Sequence, residues 1–344
     1  MKMKKTILLS IVSLLIVAVI FALIPRRYES VFFPMGPIPF KIVCYDKNYV
    51  GFDRVMGAVE TRVLDLVEVF SSHKLSSELS QLNATAANRP FAASHDMLEL
   101  LVMSRKWYAL TSGAFDPSVA PLVAIWARAG KKGTLPAAAM LEEVKKLVGM
   151  DMVGVTPDGG VYFALKGMAL DFGGLAKGYI VDLAAKVMRE KGVSKGVVDA
   201  GGDIYAFGDG PFKFGIQDPF DSEAIIGSIE VGEGAIVTSG DYERFVEIDG
   251  KKYSHIIDPK KGVPSESGVI SATVVGGDAA NADALATSIV VMGLQKGIEL
   301  IKKAQGVEAI IVVGSKDDYE VHFSKSLKLG LELLPQWQGN SKMF

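Results

Sequence analysis

The chain has 344 residues, of which 22% are charged and 49% hydrophobic, with a formal net charge of −2. That near-neutral balance, with no basic run past the first few residues, excludes a nucleic-acid surface built on phosphate neutralisation. The single cysteine, Cys44, excludes an internal disulfide and sits in an apolar, strand-like context that marks it as a core residue.

In chain order, Lys2, Lys4 and Lys5 precede an uncharged stretch, residues 6–24, which Pro25-Arg26-Arg27 closes. About nineteen residues at about 1.5 Å each reach about 28 Å, close to the thickness of a bilayer core. A secretory leader has a shorter apolar region and a small-x-small cleavage site. Residues 1–27 therefore read as a cytoplasmic stub and an uncleaved, single-pass transmembrane helix of the inner (cytoplasmic) membrane, with a cleaved signal peptide as the alternative. The lysines should stay in the cytoplasm, which leaves the rest of the chain on the periplasmic, extracytoplasmic side.

Residues 28–39 are rich in proline and read as an extended linker. A first strand is expected at 40–45. Apolar side chains at Val55, Val59, Val63, Leu66, Val67 and Phe70 have helical spacing over 52–70. A polar loop, 71–89, separates that helix from further helical patterns around 95–111 and 136–148. From 152 onward short β-branched runs alternate with turn signals, at 161–165, 196–198, 212–216, 228–231, 235–238 and 245–248. Helices at 175–191 and 279–292 interrupt them, and a strand–turn–strand (309–313, 319–323) precedes a C-terminal tail, 325–344, of low regularity. The fold class is α+β, with mixed or antiparallel sheets and helices, in one domain over 40–324 built of two interleaved halves.

Two constellations carry chemistry. Asp171-Phe172-Gly173-Gly174-Leu175-Ala176-Lys177-Gly178-Tyr179 is a glycine-rich turn opening a helix. Free backbone N–H groups and one lysine there suit a phosphate, although glycine for close helix packing explains the same residues. It is neither G-x-G-x-x-G nor a P-loop. Asp283 and Thr287 stand at i and i+4 on one helix face, a pair of oxygen ligands for Mg²⁺ or, more plainly, a cap and its neighbour. His255, in Tyr253-Ser254-His255-Ile256-Ile257-Asp258-Pro259, is one of four histidines. Alternation puts it on one strand face with Ile257, and Pro259 ends that strand. It is either a packed residue or a general base beside a phosphate.

Taken in order, these segments resemble the ApbE family, the FAD:protein FMN transferases. Further matching segments are Met35-Gly36, Ser77-Glu78-Leu79-Ser80-Gln81-Leu82-Asn83, Gly113-Ala114-Phe115-Asp116-Pro117-Ser118-Val119, Gly201-Gly202-Asp203-Ile204 and Ser239-Gly240-Asp241-Tyr242-Glu243-Arg244. The resemblance runs from about residue 33 to 324 and implies an ApbE-type fold. It implies Mg²⁺-dependent transfer of FMN from FAD to a threonine hydroxyl of an acceptor flavoprotein, with release of AMP. Acceptors of the family include subunits of Rnf-type and sodium-pumping NADH–quinone reductase complexes and FMN-binding domains.

Carried onto this chain, the resemblance puts Met35, His73, Ala114, Phe115, Asp116, Asp171, Lys177 and Ile257 against FAD. It gives Mg²⁺ the carbonyl of Gly174 with the side chains of Asp283 and Thr287, and makes His255 the base. The family usually has tyrosine where His73 stands, and Met-Gly-Thr where this chain has Met35-Gly36-Pro37. Two alternatives remain: an FAD diphosphatase yielding FMN and AMP, and a non-catalytic, membrane-tethered flavin-binding protein. The presence together of Lys177, Asp283, Thr287 and His255 speaks against the latter.

Overall fold

The structure, a computed structural model, describes residues 26–46 and 51–344. The proposed membrane segment 6–24 lies outside the described residues, among which no helix is long and apolar enough to cross a membrane.

A nine-stranded sheet organises the chain. Its strands are β1 (Arg26–Met35), β2 (Ile38–Asp46), β3 (Gly196–Ala200), β4 (Asp203–Phe207), β5 (Gly234–Gly240), β6 (Val269–Val275), β7 (Glu308–Ser315), β8 (Asp318–Phe323) and β9 (Ser341–Met343). They lie side by side in chain order. Every neighbouring pair is antiparallel except β8 and β9, which run parallel. The sheet is covered on both faces, so β6 buries all seven of its residues and reads as a continuous apolar run.

The helices are α1 (Phe52–Phe70), α2 (Glu78–Thr85), α3 (His95–Leu110), α4 (Ala120–Lys132), α5 (Ala138–Lys145), α6 (Ala176–Glu190), α7 (Ala279–Met292), α8 (Leu294–Lys303) and α9 (Pro335–Gln338). Helices α6 and α7 lie on one face of the sheet, α6 over β3 and β4, α7 over β5 and β6. The expected spacing in α1 is what the fold uses: Val55, Val59, Val63, Leu66, Val67 and Phe70 are all buried. The other face of the sheet meets a smaller antiparallel one, made of 212–218, 221–231 and 331–333. Alternation sorts the side chains between the two cores: Val237 and Ile311 enter the first, Ile236 and Ile310 the second. Cys44 is buried in the first, as expected.

Three expectations need correction. Residues 28–39 are not a linker but most of β1, the turn after it and the first residues of β2. Their prolines misled because Pro34 falls in the irregular stretch of the edge strand and Pro37 in the turn, positions that lose no ladder bond. The 325–344 tail is ordered: residues 331–333 join the smaller sheet, β9 joins the large one, and Trp337 is buried against Phe220 and Tyr319. The 71–89 loop contains α2, capped by Ser77, whose hydroxyl accepts the Ser80 N–H. Helices α4 and α8 fall where the sequence patterns give no element.

Candidate active site

One edge of the molecule gathers the turn between β3 and β4, the end of β5, the entry to α6 and the first turns of α7. Glycine permits the approach. A Cβ on Gly178 would lie 2.2 Å from the carbonyl oxygen of Ala279, so only glycine lets α6 touch the start of α7. A Cβ on Gly174 would lie 2.8 Å from Thr287 Oγ1, which puts the Gly174 backbone against that hydroxyl. The Gly178 N–H reaches Asp283 Oδ2 at 3.3 Å, and Thr287 Oγ1 lies 3.2 Å from Ser239 Oγ. The two constellations, more than a hundred residues apart in sequence, meet.

The turn itself is held from three sides. Asp171 Oδ1 accepts the Gly173 N–H at 2.7 Å, an Asx-type turn. The Asp171 N–H donates to Pro117 O at 2.8 Å, which ties the turn to the 113–118 loop. Asn83 grips the backbone of Leu170 twice, donating to its carbonyl at 2.9 Å and accepting its N–H at 2.8 Å. Asn83 is thus the structural end of the Ser77–Asn83 motif.

Beneath the turn the charges are buried. Lys177 Nζ lies 2.9 Å from Asp203 Oδ1, with 15% and 0% of the two side chains exposed. At that separation the ammonium and the carboxylate form a buried ion pair. Burial alone would pull the lysine pKa down, but Asp203, Asp283 and Glu243 together raise it. Burial, then the neighbouring Asp203 carboxylate, push Asp283 well above the usual carboxylate range. Asp203 is raised as well, by burial, with Lys177 opposing. Asp203, buried against Lys177, is a member of this cluster that the resemblance does not assign, although Gly201-Gly202-Asp203 is among the matching segments.

His255 does not lie inside a strand. The 251–254 strand ends at Ser254, and Ile257–Asp258 form a separate short one, so the alternation expected to pair His255 with Ile257 is broken. His255 instead bonds back to Arg244: its N–H and its Nδ1 both lie on the Arg244 carbonyl, at 3.0 and 2.9 Å. A carbonyl only accepts, so Nδ1 carries the proton and Nε2 keeps its lone pair. Neighbouring atoms crowd the ring and lower its pKa to about 4, with the Arg244 and Lys177 charges adding to the fall. The residue is nevertheless exposed at the surface, which argues for a smaller displacement than full burial gives. Either way the imidazole is neutral at neutral pH.

The remaining expected flavin contacts lie on other segments, and one of them faces a different core. Ala114, Phe115 and Asp116 follow α3, where Thr111 Oγ1 accepts the Phe115 N–H at 3.0 Å. The Asp116 carboxyl is pushed up to about 6, chiefly by burial, against hydrogen bonds from Ser118. Met35 ends β1 beside a turn that packs near Gly201, where a Cβ would meet Ile38 Cγ2 at 2.8 Å. Exposed His73 follows Phe70, whose ring packs edge-on to Phe172 and Tyr179. Ile257 is buried in a separate small core with Trp126 and Ile248, so it presents little side chain to a ligand. A cavity of about 560 Å³ between α1, α2 and Ala92–Ser94 shares none of these residues.

The donors fit a hard cation. Among the described residues no three His, Cys, Asp or Glu side chains form a metal-binding group. The Gly174 carbonyl, Asp283 and Thr287 are instead an all-oxygen mixed set, of the kind Mg²⁺ accepts with waters and substrate phosphate. Burial of Asp283 beside the Asp203 carboxylate makes its negative charge costly, a cost that a cation would relieve.

The model of the ApbE family matches residues 37–311. A FAD:protein FMN transferase of Vibrio cholerae is 32% identical over 276 residues, covering 78% of this chain and 82% of that protein. The solved flavin transferase ApbE of Vibrio cholerae superposes with a TM-score of 0.78 at 26% identity, covering 89% of this chain and 99% of the other. The ApbE protein of Thermotoga maritima gives a TM-score of 0.79 at 29% identity, with the same coverage.

Proposed function

The chain belongs to the ApbE family, and from that premise we propose that it moves FMN from FAD onto a threonine hydroxyl of an acceptor flavoprotein, with Mg²⁺, and releases AMP. It is a transferase, an FAD:protein FMN transferase. The observation that carries the finer reading is the meeting of Asp283 and Thr287 with the backbone of the Gly174 turn at the entry of α6.

The residues divide the work. The N–H groups of Asp171, Gly173, Leu175, Ala176 and Gly178 are already bonded within the protein. The turn at 171–178 therefore does not offer the row of free donors that its glycines suggest, and it falls to Lys177 and the cation to hold the diphosphate. Lys177, paired with Asp203, supplies fixed positive charge beneath it. Bound at Gly174, Asp283 and Thr287, Mg²⁺ supplies charge neutralisation for the diphosphate and the departing AMP phosphate. The threonine Oγ attacks the FMN-side phosphorus, the bond from that phosphorus to the bridging oxygen breaks, and AMP leaves with that oxygen. The threonine proton passes to His255 Nε2, which its tautomer leaves free. His73, where the family places an aromatic ring, stacks less on the flavin, and that departure keeps partial hydrolysis as a second reading.

Residues 6–24 anchor the enzyme in the cytoplasmic membrane and the catalytic domain works outside it, on acceptors of the Rnf, sodium-pumping NADH–quinone reductase or FMN-binding-domain type. β1 begins at Arg26, shortly after this segment in the sequence.

The test is intact-mass spectrometry of a threonine-bearing acceptor domain incubated with the enzyme, FAD and Mg²⁺. The expected result is a mass gain of one phosphate-linked FMN, abolished by EDTA and by Asp283→Ala. Free FMN and AMP beside an unmodified acceptor would replace the transferase with the diphosphatase. An intact FAD pool would leave a binding protein.

A further inference from the structure

We propose that Asp182 is a positioning residue that sets the metal-ligand geometry by clamping α7 to α6; the inference rests on the Mg²⁺ assignment above. Asp182 lies on α6, five residues after Lys177, and its two carboxylate oxygens grip the start of another helix. Oδ1 accepts the Ala279 N–H at 2.8 Å and Oδ2 the Ala280 N–H at 2.9 Å. These are the first two residues of α7, whose N–H groups have no partner within the helix.

The helix also has its own cap. Asp278 Oδ1 accepts the Asn281 N–H at 2.8 Å. Asp278 therefore serves α7 locally, whereas Asp182 serves it from across the helix interface. The distinction matters because of what lies on either side. One turn before Asp182, Gly178 touches the Ala279 carbonyl and donates its N–H to Asp283 Oδ2. One turn after Ala279 comes Asp283, and one turn further Thr287. Asp182 and Gly178 are thus two fixed points along one contact, and together they set the axial position and rotation of α7 against α6. Gly174, in the turn that leads into α6, supplies the third ligand. A carboxylate is expensive here: burial pushes its pKa up to about 7 despite both N–H bonds. A cap alone needs no such charge from another helix.

The experiment uses the full-length protein in detergent micelles and Mn²⁺ as probe, with free Mn²⁺ counted by electron paramagnetic resonance in the absence of FAD. Asp182→Asn is compared with Asp278→Ala, which removes the local cap of the same helix. The expected result is Mn²⁺ affinity about tenfold weaker for Asp182→Asn, wild-type affinity for Asp278→Ala, and a lower melting temperature for both. Excess Mg²⁺ should restore FAD turnover to Asp182→Asn. Equal Mn²⁺ affinity in Asp182→Asn and wild type, or an equal loss in both variants, would reduce Asp182 to a helix cap. Should Asp182→Asn fail to fold, Asp182→Glu keeps the charge while lengthening the clamp, and unchanged affinity there would overturn the inference. A wild-type protein that binds no Mn²⁺ would instead sink the metal assignment itself.

Discussion

Lys177 and Asp203 form a buried ion pair, 2.9 Å apart, whose carboxylate has no solvent exposure. Sequence alone suggests a lysine offered to a phosphate; the fold shows one already committed to an acid. Both roles are compatible, since one ammonium can hold a carboxylate beneath the turn and a phosphate above it.

Lys177→Met should therefore cost stability as well as activity. Removing one partner of a buried pair typically costs about 3–5 kcal/mol, because the other charge is left unpaired. Urea denaturation at neutral pH is the measurement. A loss under about 1 kcal/mol would mean that Asp203 is readily neutralised or hydrated.

Asp116→Asn should stabilise the protein at neutral pH. The folded pKa of Asp116 is raised to about 6 from 3.8. Its contribution to stability is thus fully present below about pH 4 and lost as pH rises through about 6. Asparagine keeps the acceptor for the Ser118 N–H and carries no charge. The variant should equal the wild type near pH 4 and exceed it by up to about 3 kcal/mol at pH 7.5. Parallel stability curves would show that the Asp116 carboxyl is not desolvated.

His255 should leave no limb near pH 6.5 in the pH profile of transfer. Its folded pKa is lowered, to about 4, so the neutral base persists well into acid. The stability it contributes is present above its ordinary value of 6.5 and is lost as pH falls through the folded value. Plotting kcat/KM for the acceptor against pH should show an acidic limb well below 6.5, absent in His255→Ala. A limb at 6.5 would mean a fully hydrated ring.

His73→Tyr should tighten FAD binding. A tyrosine ring stacked on the flavin adds about 0.5–1.5 kcal/mol, or about two- to tenfold in Kd. Fluorescence titration with FAD in EDTA isolates binding from turnover. An unchanged Kd would show that residue 73 does not stack.

How legible was the site? The glycine turn, the Asp283–Thr287 pair and His255 were all visible as residue types at suggestive spacings. Each alone fitted a cap or a turn equally well. The tautomer of His255 was not visible, because it depends on the Arg244 carbonyl across a hairpin. Nor was the broken strand at Ser254, since His255 still bonds as though the ladder continued.

What the sequence by itself determined is short-range: the 3.6-residue period of α1, the strand at 245–248, the ordered set of motifs that marks the family. These depend on neighbours within about one or two turns of chain. What only the tertiary structure decided is everything set by distant partners. The 28–39 segment became a strand because β2 was there to pair with it. The final residues gained order from Phe220, Tyr319 and β8. Gly178 met Asp283 across 105 residues, and Asp182 met Ala279 across 97. Packing density and desolvation, which give those contacts their energy, are properties of the assembled core and have no signature in any local window of sequence.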